Sequence, residues 1–177
     1  PFLTEQSKLG LPATVSITAG GKTFENVPVT WSGYSKNTLD EQTLIGTLDL
    51  TAISAEVQQP EPALTASIKV KLNAITLPAV PFADKTETYT GEPIANTLAA
   101  PTGVASVKYE YEGKDSTSYE KSETAPTNVG SYTVTATFTM NYGYNQLAPA
   151  TSTLTITKAS FTAPTVTMRD YTYGGTL

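Results

Sequence analysis

The 177-residue chain contains no cysteine and no histidine. Without thiols it can form neither a disulfide nor a thiolate metal site. Without imidazole or thiol it cannot run the nucleophile and base schemes that depend on them. Charge is scarce as well: 15% of residues are charged, against the ~25% usual in globular proteins. The net charge is −5 and no basic cluster exists, which argues against a nucleic-acid partner. Residues 1–76 carry five basic and seven acidic residues, and residues 77–158 carry five and eight, so neither half is a charged arm or tail. No apolar run approaches the ~20 residues of a membrane-spanning helix, so no membrane insertion is expected. Pro1-Phe-Leu-Thr4 has neither the basic start nor the apolar run of a signal peptide. The abrupt first and last residues read as those of a piece of a longer protein.

Threonine fills the composition instead, with 32 residues. Its branched side chain suits a pleated, half-wet strand and loses rotamer freedom in a helix. Twelve prolines and twelve glycines supply turns. The composition therefore reads as all-β. Gly130-Ser-Tyr132-Thr-Val134-Thr-Ala136-Thr-Phe138 is the clearest strand, because its period of two places Tyr132, Val134, Ala136 and Phe138 on one face and the threonines on the other. Asn128-x-Gly130-x-Tyr132 has the spacing of a tyrosine corner, which pins a late strand of an immunoglobulin-like sandwich.

Residues 11–31 read as a hairpin: Val15 and Ile17 alternate with Ser and Thr, Ala19-Gly-Gly-Lys22 turns, and Val27, Val29 and Trp31 alternate on the return. Leu44, Leu48 and Leu50, with Gly46 between them, mark the next strand, and Ile68, Val70 and Leu72 alternate with Lys69 and Lys71 in the last. Gln58-Gln-Pro-Glu-Pro62 is an exposed loop, since proline gives no ladder hydrogen bond. Pro78-Ala-Val-Pro81 stiffens a boundary. Beyond it, Val107, Tyr109 and Tyr111 share a face opposite Lys108, Glu110 and Glu112, and Leu154 and Ile156 close a second unit. A shift of 84 residues lays Tyr89-Thr-Gly91 on Tyr173-Gly-Gly175, Thr88 on Thr172, Lys85 on Arg169 and Ala79 on Ala163. So long a period means tandem domains and not a solenoid.

The expected fold is thus two tandem Ig-like β-sandwiches, residues 1–76 and 77–158, followed at 159–177 by the first strand of a further, incomplete repeat. Small cores without disulfides are marginal, so each domain is expected to draw stability from its neighbour.

Residues 77–158 resemble the MBG-type bacterial Ig-like repeat of surface proteins. The likeness rests on Tyr89-Thr-Gly91, Tyr109-Glu-Tyr111-Glu-Gly113, Pro126-Thr-Asn-Val-Gly-Ser-Tyr132, Tyr144-Asn145 and Leu154-Thr-Ile-Thr-Lys158. Residues 1–76 resemble the group-four bacterial Ig-like domain through Leu11-Pro-Ala-Thr-Val15, Val27-Pro-Val-Thr-Trp31 and Gly46-Thr-Leu48. They depart from it at Asp40-Glu-Gln42, where that family has Gly-x-Tyr, and in a first strand that is missing or short, which leaves the N-terminal edge frayed. The resemblance implies a stalk module of an extracellular protein, on a bacterial cell surface or secreted, with no shared catalytic residues and no cofactor. Its partners would be the neighbouring Ig-like domains of the same chain. Two other roles stand beside the stalk: an adhesive module for a glycan or host protein, and an accessory domain of a secreted glycan-active enzyme.

The candidate binding residues are Tyr142 and Tyr144, which flank Gly143 in the turn Asn141–Asn145, because loop aromatics on a rigid scaffold are better placed for ligands than strand aromatics. The same Tyr144-Asn145 belongs to the repeat pattern, which favours turn geometry. Phe82 and Phe161 are the other outward aromatic candidates. Trp31, Tyr109 and Tyr111 are in phase with core residues. Glu110 and Glu112 are spaced as neighbours on a flat face and not across the cleft a glycosidase needs. Asp40, Glu41 and Asp115 form no calcium loop. An isopeptide link from Lys8 to Asn73, with Glu25 or Glu56 as proton shuttle, is a remote covalent alternative.

Overall fold

The computed structural model describes residues 1–167. The reading of Arg169, Thr172 and Tyr173-Gly-Gly175 as the opening of a further repeat lies outside the described residues. The fold is all-β. Among the described residues eight strands, β1 (Thr14–Ala19), β2 (Lys22–Ser32), β3 (Gln42–Leu48), β4 (Thr65–Val70), β5 (Lys85–Thr88), β6 (Val104–Gly113), β7 (Gly130–Met140) and β8 (Ala150–Thr157), form two sheets. Their orders are β1-β2-β3-β4 and β5-β8-β7-β6. The helical segments among the described residues are two short 3-10 turns, Gln6–Lys8 and Thr51–Ile53. The described residues divide into two compact units that are not continuous in sequence: residues 1–80, 100–107 and 138–148 in one, and residues 81–99, 108–137 and 149–167 in the other.

In the first sheet, β1 and β2 meet through Gly20 and Gly21, whose φ of +56° and +79° suit a two-residue hairpin turn that L side chains resist. The hairpin register then slips: Val15 faces Val27 but Ile17 faces Phe24. Asn26, at φ +60°, takes up the extra residue as a bulge. That is why Phe24 and Val27, three apart, both turn inward. Past the bulge, β2 changes partner and pairs with β3 from Val29↔Leu48 to Ser32↔Ile45.

Trp31 was expected in the core with Val27 and Val29, but it is half-buried. Its ring lies across Gly46, its cross-strand partner, while its indole N–H donates to the Pro12 carbonyl at 2.7 Å. A buried indole needs a partner for that N–H, and here the partner sits at the sheet margin. Leu44 is fully buried, as its phase predicts. Leu50 is not on the strand: β3 ends at Leu48, and Asp49 starts a turn by accepting from the Thr51 hydroxyl (2.6 Å) and amide (3.0 Å). Ile68 and Val70 fall on β4, and Leu72 lies buried just beyond it.

In the second sheet, β7 has the expected alternation: Tyr132, Val134, Ala136 and Phe138 are buried and the threonines between them are not. The tyrosine corner forms, with the Tyr132 hydroxyl donating to the Asn128 carbonyl at 2.6 Å. β8 lies antiparallel to β7, Gly130↔Ile156 to Ala136↔Ala150, and β5 lies parallel to its other side, Lys85↔Leu154 to Thr88↔Thr157.

Ile94, Tyr111, Tyr132, Val134, Leu154 and Ile156 form the core, with Phe82, Tyr109, Tyr119 and Ala125 packed on it. Phe82, expected to point outward, instead sets its ring edge-on to Tyr109 at 6.1 Å. The layer covering the sheet is built from extended segments held at single points: Ile94 N–H on the Pro126 carbonyl (2.9 Å), and Tyr111 exchanging bonds with Ser122 (2.7 and 2.9 Å). Buried Asn96 ties that layer down through its Nδ2, 3.0 Å from both the Ala83 carbonyl and the Ser152 hydroxyl. Each tie satisfies a polar group that would otherwise be buried unpaired. Phe161 and Val166, beyond β8, are exposed at 89% and 79%.

Candidate functional site: the 141–145 turn

The turn singled out from the sequence sits in the first compact unit and is engaged by residues far from it in the chain. Gly143 holds φ +90°, which glycine adopts freely. Its bare α-carbon is the floor on which the Phe2 ring rests, and a Cβ there would overlap that ring. Phe2, 9% exposed, also meets Tyr142 edge-on with ring centroids 5.5 Å apart. An aromatic side chain buried this way contributes about 1.5–3 kcal/mol, and the edge-on pair about 0.5–1.5 kcal/mol more.

Backbone and side-chain bonds complete the joint. Ile75 N–H donates to the Gly143 carbonyl (2.8 Å) and Asn145 N–H donates to the Ile75 carbonyl (2.9 Å), a one-residue parallel bridge between Ile75 and Tyr144. The Asn145 side chain donates to the Thr76 hydroxyl (2.7 Å), and Leu39 N–H donates to the Tyr142 hydroxyl (2.8 Å). Phe2 N–H donates to the Asn73 carbonyl at 2.7 Å, and the Tyr34 hydroxyl donates to the Thr4 carbonyl. The Tyr144 ring covers Gly103, another glycine with positive φ, while Asn141 N–H donates to the Gly103 carbonyl at 2.8 Å.

Tyr142 and Tyr144 are thus brought together with Phe2, Leu39, Ile75 and Gly103. Tyr142 remains 60% exposed, whereas Tyr144 is half-buried. The sequence reading missed Phe2, Leu39, Ile75 and Gly103. The one local sign was a glycine fixed between two tyrosines, which marks a place where another group approaches the backbone closely.

The remaining candidates resolve into structural roles. Glu110 lies 3.1 Å from Lys121 and 3.5 Å from Lys108, and Lys108 reaches Glu123 at 3.0 Å. The hydrogen bond from Lys121, then the charge of Lys108, holds the Glu110 carboxyl below the usual carboxylate range. The bond that Lys108 donates to Glu123, then the charge of Glu110, raises the Lys108 ammonium above its usual pKa. Glu112 is exposed beside this network. Glu41 pairs with Lys69 at 2.7 Å and Asp40 accepts from the Thr38 hydroxyl at 3.1 Å. Asp115 sits at φ +57° in its turn.

Glu56 pairs with Lys22, and Glu25 accepts from Ser16. Among the described residues no hydrogen bond or ion pair joins Lys8 to Asn73, Glu25 or Glu56. Nor do the described residues contain a group of three His, Cys, Asp or Glu able to hold a metal, or a helix long and apolar enough to cross a membrane. A hollow of about 220 Å³ opens between β1 and the 57–64 loop, lined by Ile17, Leu48, Leu50, Val57, Pro60 and Leu64. Asp49, on its flank, is lowered by the bonds it accepts from Thr51 and serves the turn there.

With this geometry in place, comparison with known proteins adds one positive finding. Residues 78–160 match the family model of the MBG domain. That stretch coincides with the unit read from the sequence as 77–158; the group-four likeness of residues 1–76 is not shown. No curated protein and no solved structure matches the chain.

Proposed function

We propose that this chain is a non-catalytic spacer segment of a bacterial protein displayed on the cell surface or secreted, with an MBG-type repeat joined to a group-four-like Ig domain. The MBG match suggests a surface repeat module. The observation that carries the mechanical part is the joint at 141–145. A spacer must pass position from one module to the next, and that needs fixed contacts in place of a free linker. Phe2 on Gly143, the Ile75 bridge and the Leu39–Tyr142 bond are fixed contacts that hold this turn of the MBG-type stretch to residues 1–80 within one compact unit. The partners in this reading are the neighbouring Ig-like domains of the same chain, and Tyr142 and Tyr144 serve as joint residues.

An adhesive module is the second reading, favoured by one observation: Tyr142 keeps 60% of its surface open to solvent despite its place in the joint. A screen of residues 1–177 against a glycan array and extracellular-matrix proteins separates the two. The spacer reading expects a blank. A reproducible ligand lost in the Tyr142→Ala, Tyr144→Ala double variant, with amide protection at Val134 and Leu154 retained, would overturn it in favour of adhesion.

A further inference from the structure

β5 is the first strand of the second sheet in chain order and β8 the last, and the two lie side by side. β5 stands at the edge, with β8 as its one strand neighbour among the described residues. They run parallel, from Lys85↔Leu154 to Thr88↔Thr157. The start of β5 therefore lies beside the start of β8, at the opposite end of the ladder from Thr157. A pull applied through residues 81 and 158 draws the two strands along their common axis in opposite directions, and loads every bond between them at once. A pull through residues 81 and 149, which precede the two strands at one end, opens the same bonds one after another. Residues 81–99 and 149–158 all belong to the second compact unit, so the arrangement needs nothing from the first.

We propose that β5 and β8 form a shear clamp, the device by which the MBG-type repeat bears tension along the chain. The proposal rests on the spacer reading for the source of the load; the strength of the clamp is a property of the fold. The ladder is extended at both ends. Before β5, the Asp84 carboxylate accepts from Thr153 N–H at 2.6 Å, a charge-assisted bond. Past β5, Tyr89 N–H donates to the Thr157 carbonyl at 2.8 Å, and the Thr157 hydroxyl donates to the Glu87 carbonyl at 3.2 Å. Beneath it, Asn96 Nδ2 joins the Ala83 carbonyl, just before β5, to the Ser152 hydroxyl on β8, at 3.0 Å from each. Asn96 and Ser152 are buried, and a bond broken where water cannot replace it is the costlier to break. Lys85 Nζ, on the Ala95 carbonyl at 2.9 Å, pins β5 to the covering layer. In a parallel pair alternate amides of one strand face the other. Since Tyr89 N–H faces β8, those of Glu87 and Lys85 do too, and those of Thr86 and Thr88 turn away.

The test is single-molecule force spectroscopy on residues 1–177. The chain has no cysteine, so introduced pairs alone define the points of pull. Pro81→Cys with Lys158→Cys loads the clamp in shear, and Pro81→Cys with Pro149→Cys unzips it; all three positions are exposed. Resistance to force is set by the barrier to unfolding and not by stability alone, so one fold should yield two forces. At equal loading rate the 81–158 pair should give way at a force roughly twofold or more above the 81–149 pair. Glu87→Pro removes an amide that faces β8 and should bring the 81–158 force down toward the 81–149 value. Thr88→Pro removes an amide that faces away and should leave it high. Amide protection at Val134 and Leu154 reports that each variant is folded, and the comparison of the two pulling directions needs neither proline variant. Equal forces in the two directions, or a higher force at 81–149, would overturn the proposal. So would an equal loss of force in folded Glu87→Pro and Thr88→Pro. A ligand found in the glycan and matrix screen would overturn the spacer reading and leave these forces unchanged, so the two can fail separately.

Discussion

Replacing Gly143 by alanine tests the joint at its tightest point. Two terms follow from the structure. The backbone at residue 143 has φ +90°, a region where an L side chain costs roughly 1–2 kcal/mol. The new Cβ would also overlap the Phe2 ring. The ring, being packed against backbone and Tyr142, would have to leave its site, forfeiting about 1.5–3 kcal/mol of burial. The sum is roughly 2.5–5 kcal/mol. The terms separate in a double-mutant cycle. In a Phe2→Ala background the overlap is gone, so Gly143→Ala should cost only the backbone term, with a coupling of about 1.5–3 kcal/mol between the two sites. Urea unfolding followed by far-UV circular dichroism gives the energies, and amide exchange at Ile75, whose N–H donates to the Gly143 carbonyl, reports the joint itself. Gly143→Ala should strip protection from Ile75 while leaving Val134 and Leu154 protected. Unchanged Ile75 protection, or additive single-variant costs, would refute the reasoning.

Other predictions follow from the same geometry. Tyr132→Phe removes the bond to the Asn128 carbonyl; because Asn128 is exposed and water can replace the donor, the loss should be about 1 kcal/mol, read as a melting point lower by roughly 2–4 °C. Gly46→Ala would press a Cβ into Val29 and the Trp31 ring, costing about 1–3 kcal/mol and shifting the emission of the single tryptophan. Residues 77–158 alone should melt below residues 1–177, because truncation removes Phe2, Leu39 and Ile75 from the 141–145 turn; equal melting points would contradict this. Glu110 is held below the usual carboxylate range by Lys121 and Lys108, so its contribution is present above the unfolded carboxyl pKa and is lost as pH falls through the folded value. The melting-point gap between the parent and Glu110→Gln should therefore be open at neutral pH and close on acidification.

Much of the fold was legible in the chain because it depends on local rules. A period of two over Tyr132–Phe138 is enough to set which side chains are buried, and Asn128-x-Gly130-x-Tyr132 places a hydroxyl within reach of a carbonyl only four residues away. Gly20-Gly21 sets a hairpin because both residues must take positive φ. The partial misses have equally local causes. The alternation of Val27, Val29 and Trp31 does not reveal a bulge at Asn26, since a bulge depends on the partner strand's register. Leu50 continues the spacing of Leu44 and Leu48, but the Asp49–Thr51 turn competes for the backbone at that point. Phe82 has no alternation around it from which its direction could be inferred.

The sequence by itself determined the all-β class, the strands with clean alternation, the corner at Tyr132 and the absence of any thiol or imidazole chemistry. Those properties rest on composition, on side-chain period and on residues a few positions apart. Only the tertiary structure decided what surrounds Tyr142 and Gly143. Phe2 and Gly143 are separated by most of the chain, so their contact forms only once two distant segments have folded.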